Sequence, residues 1–441
     1  MRDIRVGLIG CGVVGQGVMR LLTENASSIE GRLGAKVSVR RIAVRNLQRD
    51  RGEFVDPALL TDDVDAVLDD PEIEIVVEVM GGIETAGEHV RRALEAGKSV
   101  VTANKALIAD RGHALIELAE SRGQDLYFEA AVAGGIPVLR VLREALASDR
   151  VVALRGIING TSNYVLSQMQ NEGSDFGDAL QQAQAAGYAE ADPTLDVDGG
   201  DAAHKLNILA TLAFGARLPA DAVTTEGIDV VSAEDIEFAR RFGYVIKPLA
   251  IARADQFGEH GADHVQLRVH PALVSRDDTL AHISGALNAV DIEGAALGPC
   301  LLSGPGAGSL PTAVSVVADV VDVGRNLLSN AGGRVPQRAF TGERVRDVQV
   351  QDIADHRCRM YLRFSVRDQS GVLGQLTTVL GAHRVSIEQM IQTGQGDGAA
   401  DPVSVVLLTH PAREGDVRAA LSEIDDLGIL LEPTTAIRIE E

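Results

Sequence analysis

The feature that most constrains the fold is a glycine-rich turn near the start of the chain. An apolar run at 4–9 is followed at once by Gly10-Cys11-Gly12-Val13-Val14-Gly15, and a helix-like stretch comes next. In such a strand–turn–helix unit the glycines permit a tight turn, admit a pyrophosphate and let helix and strand pack closely. The helix N-terminus adds free N–H groups for an anion. The pattern predicts a dinucleotide site, with a ligand-free turn as the alternative, at Gly10, Gly12, Val13, Val14 and Gly15.

Strands and helices continue to alternate over the first 128 residues. Apolar runs suited to buried strands lie at 37–44, 75–79 and 100–101. Helical patterns lie at 86–96 and 113–121. This alternation is typical of a parallel, doubly wound α/β sheet of the Rossmann type. We therefore predict a dinucleotide-binding domain over 1–128.

The end of the second predicted strand bears on the choice of cofactor. Sites that prefer NAD usually carry Asp or Glu there, whereas this chain has Val44-Arg45-Asn46. A guanidinium at that place suits a 2′-phosphate, so Arg45 favours NADPH. NADH stays possible, because Arg45 is equally explained as a solvated loop arginine.

A different pattern begins at residue 129 and predicts an α+β domain for substrate and dimerisation over 129–303. Strand-like runs lie at 151–158, 265–269 and 286–292. Helical patterns lie at 137–147 and 201–214. This order predicts a mixed, largely antiparallel sheet on which the helices pack. The glycine-rich segment 303–308 precedes a long apolar helix at 312–328, and we expect 304–330 to return to the first domain.

Two further segments complete the predicted organisation. Residues 331–350 contain several glycines and few large apolar residues, which predicts a linker. Residues 351–441 follow the order strand, helix, strand, strand, helix, strand. This βαββαβ order is typical of a ferredoxin-like domain.

Charge and composition limit the partners of the chain. The chain has 41 Lys and Arg residues against 63 Asp and Glu residues, which gives a net charge of −22. Because the sequence has no basic block, the negative electrostatic field repels phosphate backbones and anionic lipid. We expect no nucleic-acid or membrane partner. No apolar run has the length of a signal peptide or a membrane span, so we expect a cytoplasmic protein. The three cysteines have no metal-ligand spacing, and they do not predict a disulfide framework. His260 and His264 stand among glycines, so they do not predict a metal-binding pair.

Lysine is scarce, and two of the five lysines stand in motifs suited to catalysis. Lys105 ends the sequence Val101-Thr102-Ala103-Asn104-Lys105, where a strand of a doubly wound sheet meets the ligand crevice. Lys205 lies four residues after Asp201 on a predicted helix, so the two side chains share a face. The preceding loop, 187–200, gathers carboxylates and glycines, and acids beside an ammonium can bind a zwitterion and move a proton. The alternatives are an exposed loop cation for Lys105 and a surface salt bridge for Lys205.

Two other polar features have more than one explanation. Asn159-Gly160-Thr161-Ser162-Asn163 places polar side chains at a helix start, and either capping or a role in a site accounts for it. His204 points about 100° away from Lys205 around the helix, which favours a structural role.

Taken together, these motifs resemble homoserine dehydrogenase. The resemblance covers the chain to about residue 330 and rests on the glycine turn, 101–105, 159–164, 187–193 with Asp201 and Lys205, and 303–308. The remaining domain resembles an ACT regulatory module, whose first strand, turn and helix are matched by 366–373. No kinase segment precedes the glycine turn, so we expect the monofunctional type of enzyme.

The resemblance implies a reaction and roles for individual residues. Members of the family interconvert L-aspartate 4-semialdehyde and L-homoserine by hydride transfer with NAD(P)H, in the biosynthesis of threonine, methionine and isoleucine. The implied roles are general acid for Lys205, orientation of that lysine for Asp201, substrate binding for Glu190 and Asp196, and cofactor binding for Lys105, Gly304 and Gly306.

The resemblance also implies a cation site, an effector and an assembly. The main-chain carbonyls of Glu129, Val132, Gly134 and Ile136 are expected to hold Na⁺ or K⁺. We expect an amino acid, L-threonine in our prediction, to inhibit through the ACT domain. Because family members are dimers or larger and ACT modules commonly pair side by side, we expect a homodimer or homotetramer.

Two other functions compete with this interpretation. Aspartate-semialdehyde dehydrogenase shares a substrate but needs a cysteine nucleophile, for which no cysteine of this chain has a local signature. A non-catalytic sensor of NADP and amino acids would use the same folds. The grouping of Glu190, Asp201 and Lys205 argues against a sensor.

Overall fold

Three structural units follow one another along the chain. The computed structural model describes residues 2–258, 261–393 and 402–440 and confirms the predicted fold class within them. His260 lies outside the described residues. Over the described ranges, no helix combines the length and the apolar character that crossing a bilayer would require.

The first unit is the predicted parallel α/β sheet. Its strands are β1 (Asp3–Ile9), β2 (Lys36–Ala43), β3 (Leu60–Thr61), β4 (Ile75–Glu78), β5 (Ser99–Thr102) and β6 (Leu126–Tyr127). Its helices are α1 (Val13–Glu24), α2 (Ala26–Leu33), α3 (Asp65–Leu68), α4 (Glu84–Glu95) and α5 (Lys105–Arg122). The strand order β3-β2-β1-β4-β5-β6 reverses direction between β1 and β4. Ligands bind such sheets at the carboxyl ends of the strands beside this switch point, which is where the glycine turn lies.

The second unit is built on long antiparallel strands. Its helices are α6 (Val138–Arg140), α7 (Gly160–Glu172), α8 (Phe176–Ala185), α9 (Thr194–Val197), α10 (Gly200–Phe214), α11 (Ala233–Arg241) and α12 (Ser309–Ser329). Its strands are β7 (Val151–Ile157), β8 (Ala216–Arg217), β9 (Thr224–Thr225), β10 (Tyr244–Gly258), β11 (Gly261–Ser275), β12 (Leu287–Gly294) and β13 (Gly298–Pro305). Strands β13-β12-β7-β10-β11 form an antiparallel sheet, and α10 packs on β10 and β11.

The structure differs from the helix expected at 137–147. The three-residue α6 continues as a π-helix over Val141–Ala145, where the wider turn changes the direction of the side chains. Glu129 caps this segment, because its carboxylate oxygens accept hydrogen bonds from the main-chain N–H groups of Leu139 and Arg140.

Helix α12 packs on the first unit. Its buried Val316 and Val320 share one apolar core with Ile4 and Val6 of β1 and Val18 of α1. The helix that follows the second unit in sequence therefore contributes to the core of the nucleotide-binding unit.

The segment that connects the second and third units is packed rather than free. The amide of Gln337 bonds the main chain of β6, accepting from Leu126 N at 3.1 Å and donating to Gln124 O at 2.9 Å. Arg338 is 1% exposed and contacts Glu117 and Glu120 of α5. The short strands β14 (Arg346–Asp347) and β15 (Gln349–Val350) complete the connection.

The third unit extends the sheet of the second. It contains β16 (Arg357–Arg367), α13 (Val372–Ala382), β17 (Ile387–Thr393), β18 (Pro402–Thr409), β19 (Ala412–Arg413), α14 (Glu414–Asp426) and β20 (Thr435–Glu440). Strand β20 pairs in parallel with β11, with Ala272 opposite Arg438. One twelve-stranded sheet thus runs from β13 to β17 across both units.

Buried ion pairs cross this seam between the two units. Arg438 is 3% exposed in its side chain and donates to Glu226 of the second unit as well as to Glu414 of the third. Arg363 contacts both carboxylate oxygens of the fully buried Asp235. The third unit is therefore joined to the second by paired charges as well as by strand pairing.

Candidate active site

The turn after β1 has the geometry that its glycines predict. Gly10 has a left-handed φ of 99°, and a Cβ there would lie 2.7 Å from the carbonyl oxygen of Val79. A Cβ on Gly15 would lie 2.8 Å from the carbonyl oxygen of Gly10, whereas one on Gly12 would meet nothing within 4 Å. Gly12 is the N-cap of α1 and no side chain caps it. The first-turn N–H groups are therefore left without a capping side chain, as an anion site requires.

A cavity of about 500 Å³ extends from this turn to the end of β2. Arg45, Arg49 and Arg51 line it, together with the exposed carboxylate of Asp62. Arg51 is 8% exposed, and its guanidinium donates to the main-chain carbonyls of Arg49 and Asn46. Among the described residues no carboxylate pairs with Arg51, and its Nε is buried without a hydrogen-bond partner. A buried cation without a counter-ion fits a ligand that brings an anion.

A second cavity, of about 440 Å³, adjoins the first. Val79 at the end of β4 lines both, so the two cavities meet at the switch point of the sheet. The second cavity is lined by Lys105, Glu190, Asp196 and Asp201, which the sequence analysis assigned to cofactor, substrate and catalysis.

One carboxylate joins the two candidate lysines. Lys205 Nζ donates to Asp201 Oδ2 at 2.7 Å and to the carbonyl oxygen of Ile158 at 2.8 Å. Lys105 Nζ lies 2.8 Å from Asp201 Oδ1. The Lys205 side chain is 12% exposed and the Lys105 side chain 41% exposed, so Lys205 is the more enclosed of the two. Two of the three N–H groups of Lys205 are thus used, and the second cavity is lined by its partner Asp201 and not by Lys205 itself.

The charges of this trio change the acidity of its members. Burial alone would raise the pKa of Asp201, but the nearby ammonium groups of Lys205 and Lys105 outweigh it and hold the pKa below its usual range. Burial alone would lower the pKa of Lys105, but the charge of Asp201 outweighs it and raises the pKa. We conclude that Asp201 is ionised and Lys105 protonated at neutral pH.

Helix geometry and loop contacts bring these side chains together. Asp201 and Lys205 stand one turn apart at the start of α10, as the i, i+4 spacing predicts. Lys105 is the first residue of α5, and the N-cap Asn104 fixes that helix start by accepting from Leu107 N. Asn104 Nδ2 also donates to the carbonyl oxygen of Gly82, which lines the same cavity.

The acidic loop before α10 also lines the second cavity. Glu190 is exposed there, and Asp196 is half-buried on α9. His204, for which the sequence favoured a structural role, also lines the cavity.

Two buried charged residues near the cavities were not singled out from the sequence. Arg51 lies six residues after Arg45, and only the folded loop places it beside the cofactor turn. Glu78 is fully buried at the end of β4, where it accepts from the N–H groups of Met80 and Gly81 and from the hydroxyl of Thr102. A carboxylate ending an apolar strand was the available signal for Glu78.

The carbonyls expected to hold a cation lie in a tightly turned loop. Ala133 and Gly134 both have left-handed φ angles, of 53° and 54°. The carbonyl of Gly134 accepts from Ser315 Oγ at 2.7 Å, and that of Ile136 accepts from Val138 N at 2.8 Å. A carbonyl oxygen has two lone pairs, so each of these two keeps one for a cation. Among the described residues no cluster of three His, Cys, Asp or Glu side chains suits a metal.

The glycine-rich segment 303–308 lies beside this carbonyl loop. A Cβ on Gly134 would lie 2.4 Å from the carbonyl oxygen of Gly306, so only glycine permits the contact. Gly304 is on β13, opposite Asn288 of β12. In the described part of the chain, neither Gly304 nor Gly306 lines the two cavities above.

Comparisons with known proteins agree with this geometry. A family model described as homoserine dehydrogenase matches residues 137–321, its NAD-binding-domain model matches 10–129, and an ACT-domain model matches 360–428. Homoserine dehydrogenases of Pseudomonas aeruginosa and Neisseria gonorrhoeae are 43% and 40% identical, over 100% of this chain and 100% and 99% of theirs. The chain belongs to the homoserine dehydrogenase family.

Solved homoserine dehydrogenases share the fold. The enzyme from Thiobacillus denitrificans is 44% identical with a TM-score of 0.92, and the match covers 100% of this chain and 99% of that one. A hyperthermophilic archaeal homoserine dehydrogenase in complex with NADPH is 26% identical with a TM-score of 0.61, over 73% of this chain and 97% of that one. The prediction of an oxidoreductase with a nicotinamide-cofactor domain and an ACT domain is confirmed. The comparisons support neither aspartate-semialdehyde dehydrogenase nor a non-catalytic sensor.

Proposed function

We propose that this homoserine dehydrogenase reduces L-aspartate 4-semialdehyde to L-homoserine with NADPH, in the biosynthesis of threonine, methionine and isoleucine. The observation that carries the proposal is the trio in which Asp201 contacts both Lys105 and Lys205. This trio lies beside a cavity that meets the glycine turn at the switch point of the sheet.

The chemistry proposed for the trio is general acid catalysis. NADPH, when bound, supplies the hydride. Lys205 donates a proton to the aldehyde oxygen, so that the carbonyl carbon gains hydride and its oxygen becomes a hydroxyl. The ammonium charge stabilises the developing alkoxide before the proton has moved. Asp201 orients Lys205, and Lys105 adds a second positive charge near the reacting oxygen and the nicotinamide.

Glu190 and Asp196 are proposed to bind the substrate. The amino acid carries an ammonium group, and these two carboxylates of the acidic loop attract it. With the ammonium held there, the aldehyde end of a short chain is proposed to point towards Lys205.

The 2′-phosphate of NADPH is proposed to bind at the end of β2. Arg45 and Arg49 are exposed there, and the buried Arg51 has no carboxylate partner among the described residues. A phosphomonoester supplies the missing negative charge, whereas the 2′-hydroxyl of NADH does not. Val13, Val14 and the three glycines of the turn are proposed to hold the pyrophosphate.

Cation binding, regulation and assembly complete the proposal. The carbonyl oxygens of Glu129, Val132, Gly134 and Ile136 hold Na⁺ or K⁺, and Gly304 and Gly306 support the cofactor from the adjoining segment. An amino acid, L-threonine, inhibits through 351–441. The enzyme acts in the cytoplasm as a homodimer or homotetramer.

A steady-state assay of NADPH oxidation with the semialdehyde tests the proposal. We expect Lys205→Ala to lower kcat by about 10²–10⁴-fold, the range typical of a lost general acid. Lys36→Ala removes an exposed lysine at the start of β2 and is the matched control. Lys205→Ala with normal turnover and an intact fold would refute the proton-transfer role.

The same assay tests the regulatory and cation proposals. Adding L-threonine is expected to inhibit, and replacing Na⁺ and K⁺ by a large organic cation is expected to slow turnover. A rate untouched by threonine contradicts the choice of effector, and a rate untouched by cation exchange contradicts the carbonyl site.

A further inference from the structure

Asn159 contacts two carboxylates of the candidate site at once. Its side-chain Nδ2 donates to Asp196 Oδ1 at 2.7 Å and to Asp201 Oδ2 at 2.9 Å. Its Oδ1 accepts from the main-chain N–H of Ser162 at 2.8 Å and so caps α7. The residue is 5% exposed. Both N–H donors and one acceptor lone pair of the amide are thus used within the protein.

The orientation of this amide follows from chemistry. Turning it over would point its carbonyl oxygen at two carboxylates and its NH₂ group at the N–H of Ser162, which loses all three hydrogen bonds. The preceding residue, Ile158, provides the carbonyl that accepts from Lys205 Nζ. Ile158 and Asn159 therefore contact three side chains of the site: Lys205, its partner Asp201, and Asp196, which is proposed to bind the substrate.

We propose that Asn159 is a positioning residue for the reaction, one that sets the spacing of Asp196 and Asp201. Two carboxylates that face the same point repel each other, and each then favours moving away. The two N–H groups of Asn159 give each carboxylate a donor and hold them at one separation. Substrate binding at Asp196 is thereby linked to the alignment of Lys205 through Asp201.

A capping role alone makes a different prediction. Asp and Ser are as good as Asn at an N-cap, so Asn159→Asp and Asn159→Ser both preserve the start of α7. Neither variant supplies two donors to the carboxylates, and ionised Asp adds a third negative charge among them. Capping alone therefore predicts wild-type kinetics for both variants, whereas positioning predicts losses in both.

The experiment measures kcat and KM for the semialdehyde and for NADPH across pH in the wild type and both variants. We expect kcat/KM for the semialdehyde to fall about 100-fold in Asn159→Asp and about 10-fold in Asn159→Ser, as for small misplacements of reacting groups. KM for NADPH stays within about twofold, because Asn159 lies outside the cofactor cavity. Activity of Asn159→Asp recovers towards low pH, where the protonated acid again donates a hydrogen bond, and Asn159→Ser shows no such recovery.

Calorimetric titration of L-homoserine into NADP-loaded protein gives a readout besides turnover. We expect about tenfold weaker binding by Asn159→Asp than by the wild type. If Asn159→Asp fails to fold, Asn159→Ser decides the outcome. Wild-type kcat/KM and pH dependence in the folded variants would overturn the role of Asn159.

This inference rests on the proposed function, and its failure can be told apart from failure of that function. An inactive wild-type protein that does not bind L-homoserine refutes the function and the inference with it. An active wild-type enzyme with unaffected variants refutes only the inference.

Discussion

Asp201 holds two ammonium groups with one buried carboxylate, and much of the site depends on that contact. Both lysines lie within 2.8 Å of its oxygens. Because its pKa is held below the usual range, its contribution to stability is complete above about pH 3.9 and is lost as the pH falls through the lowered value. Lys105 has a raised pKa, so its contribution is complete below about pH 10.4 and is lost as the pH rises through the raised value.

Replacing Asp201 is therefore expected to change the alkaline side of the activity profile. In Asp201→Asn the charge that offsets the burial of Lys105 is gone, so the pKa of Lys105 falls. The alkaline limb of kcat/KM for the semialdehyde should therefore move to lower pH. Rate measurements from neutral to alkaline pH test this, and an unmoved limb would show that Lys105 does not control it.

Arg45 is expected to govern cofactor preference. Arg45→Asp places an acid at the end of β2, where it accepts from a ribose 2′-hydroxyl and repels a 2′-phosphate. The ratio of kcat/KM for NADPH to that for NADH should fall by about 10–100-fold. Arg41→Asp makes the same change of charge at an exposed β2 residue outside the cavity, and it should leave the ratio unchanged.

Single residues set the limit of prediction from sequence. Lys105, Asp201 and Lys205 could be predicted as site residues because each stands in a motif whose local geometry is fixed by a strand end or a helix turn. Arg51 and the double contact of Asn159 were not, because their partners are brought together only by folding. The partners of Asn159 are 37 and 42 residues away, and no residue near Arg51 in sequence indicates that its loop folds against the glycine turn.

At the scale of elements, the strand–turn–helix unit around Gly10 could be predicted because its glycines are required by the backbone geometry of the turn. The element order of the third unit was predictable too, because its strands and helices alternate clearly. Strand β10 was missed. It contains the buried Lys247 and Pro248, and a charged residue next to a proline interrupts the apolar pattern of a strand.

Two substitutions separate folding from binding within the glycine turn. Gly10→Ala forces a Cβ into a left-handed backbone beside the Val79 carbonyl, and it should lower stability by at least about 1–2 kcal/mol. Gly12→Ala meets no protein atom within 4 Å and should leave the melting temperature unchanged. Its methyl group would still project where the pyrophosphate approaches, so NADPH affinity should fall about tenfold or more. Thermal melts and NADPH titrations of both variants test this; normal NADPH binding by Gly12→Ala would place the cofactor elsewhere.

At the scale of the whole molecule, the third unit continues the sheet of the second instead of hanging from a tether. Arg363 and Tyr361 from β16 both donate to the buried Asp235 of α11. A change of state in the ACT unit therefore has a direct mechanical route into the helix layer of the second unit. The packed connection through Gln337 adds a further restraint.

Breaking the buried seam should destabilise both units. Asp235→Ala removes the fully buried carboxylate that pairs with Arg363 and leaves it the more exposed Glu234, at a cost of about 2–4 kcal/mol. Glu237→Ala, on the same helix, removes an exposed pair with Arg240 and should cost less than about 1 kcal/mol. Denaturant melts compare the two, and equal midpoints would mean that the seam contributes little.

The parallel pairing of β11 with β20 has a consequence for biosynthesis. During translation β11 leaves the ribosome long before β20, so its apolar segment Ala272-Leu273-Val274 has no partner on that edge until the entire ACT unit has been made, whereas β9 and β15 pair with the same strand at 268–269 and 264–265. An open edge rich in apolar residues is a template for pairing with other nascent chains. Chaperone capture of the growing chain therefore matters most in the interval between the synthesis of these two strands.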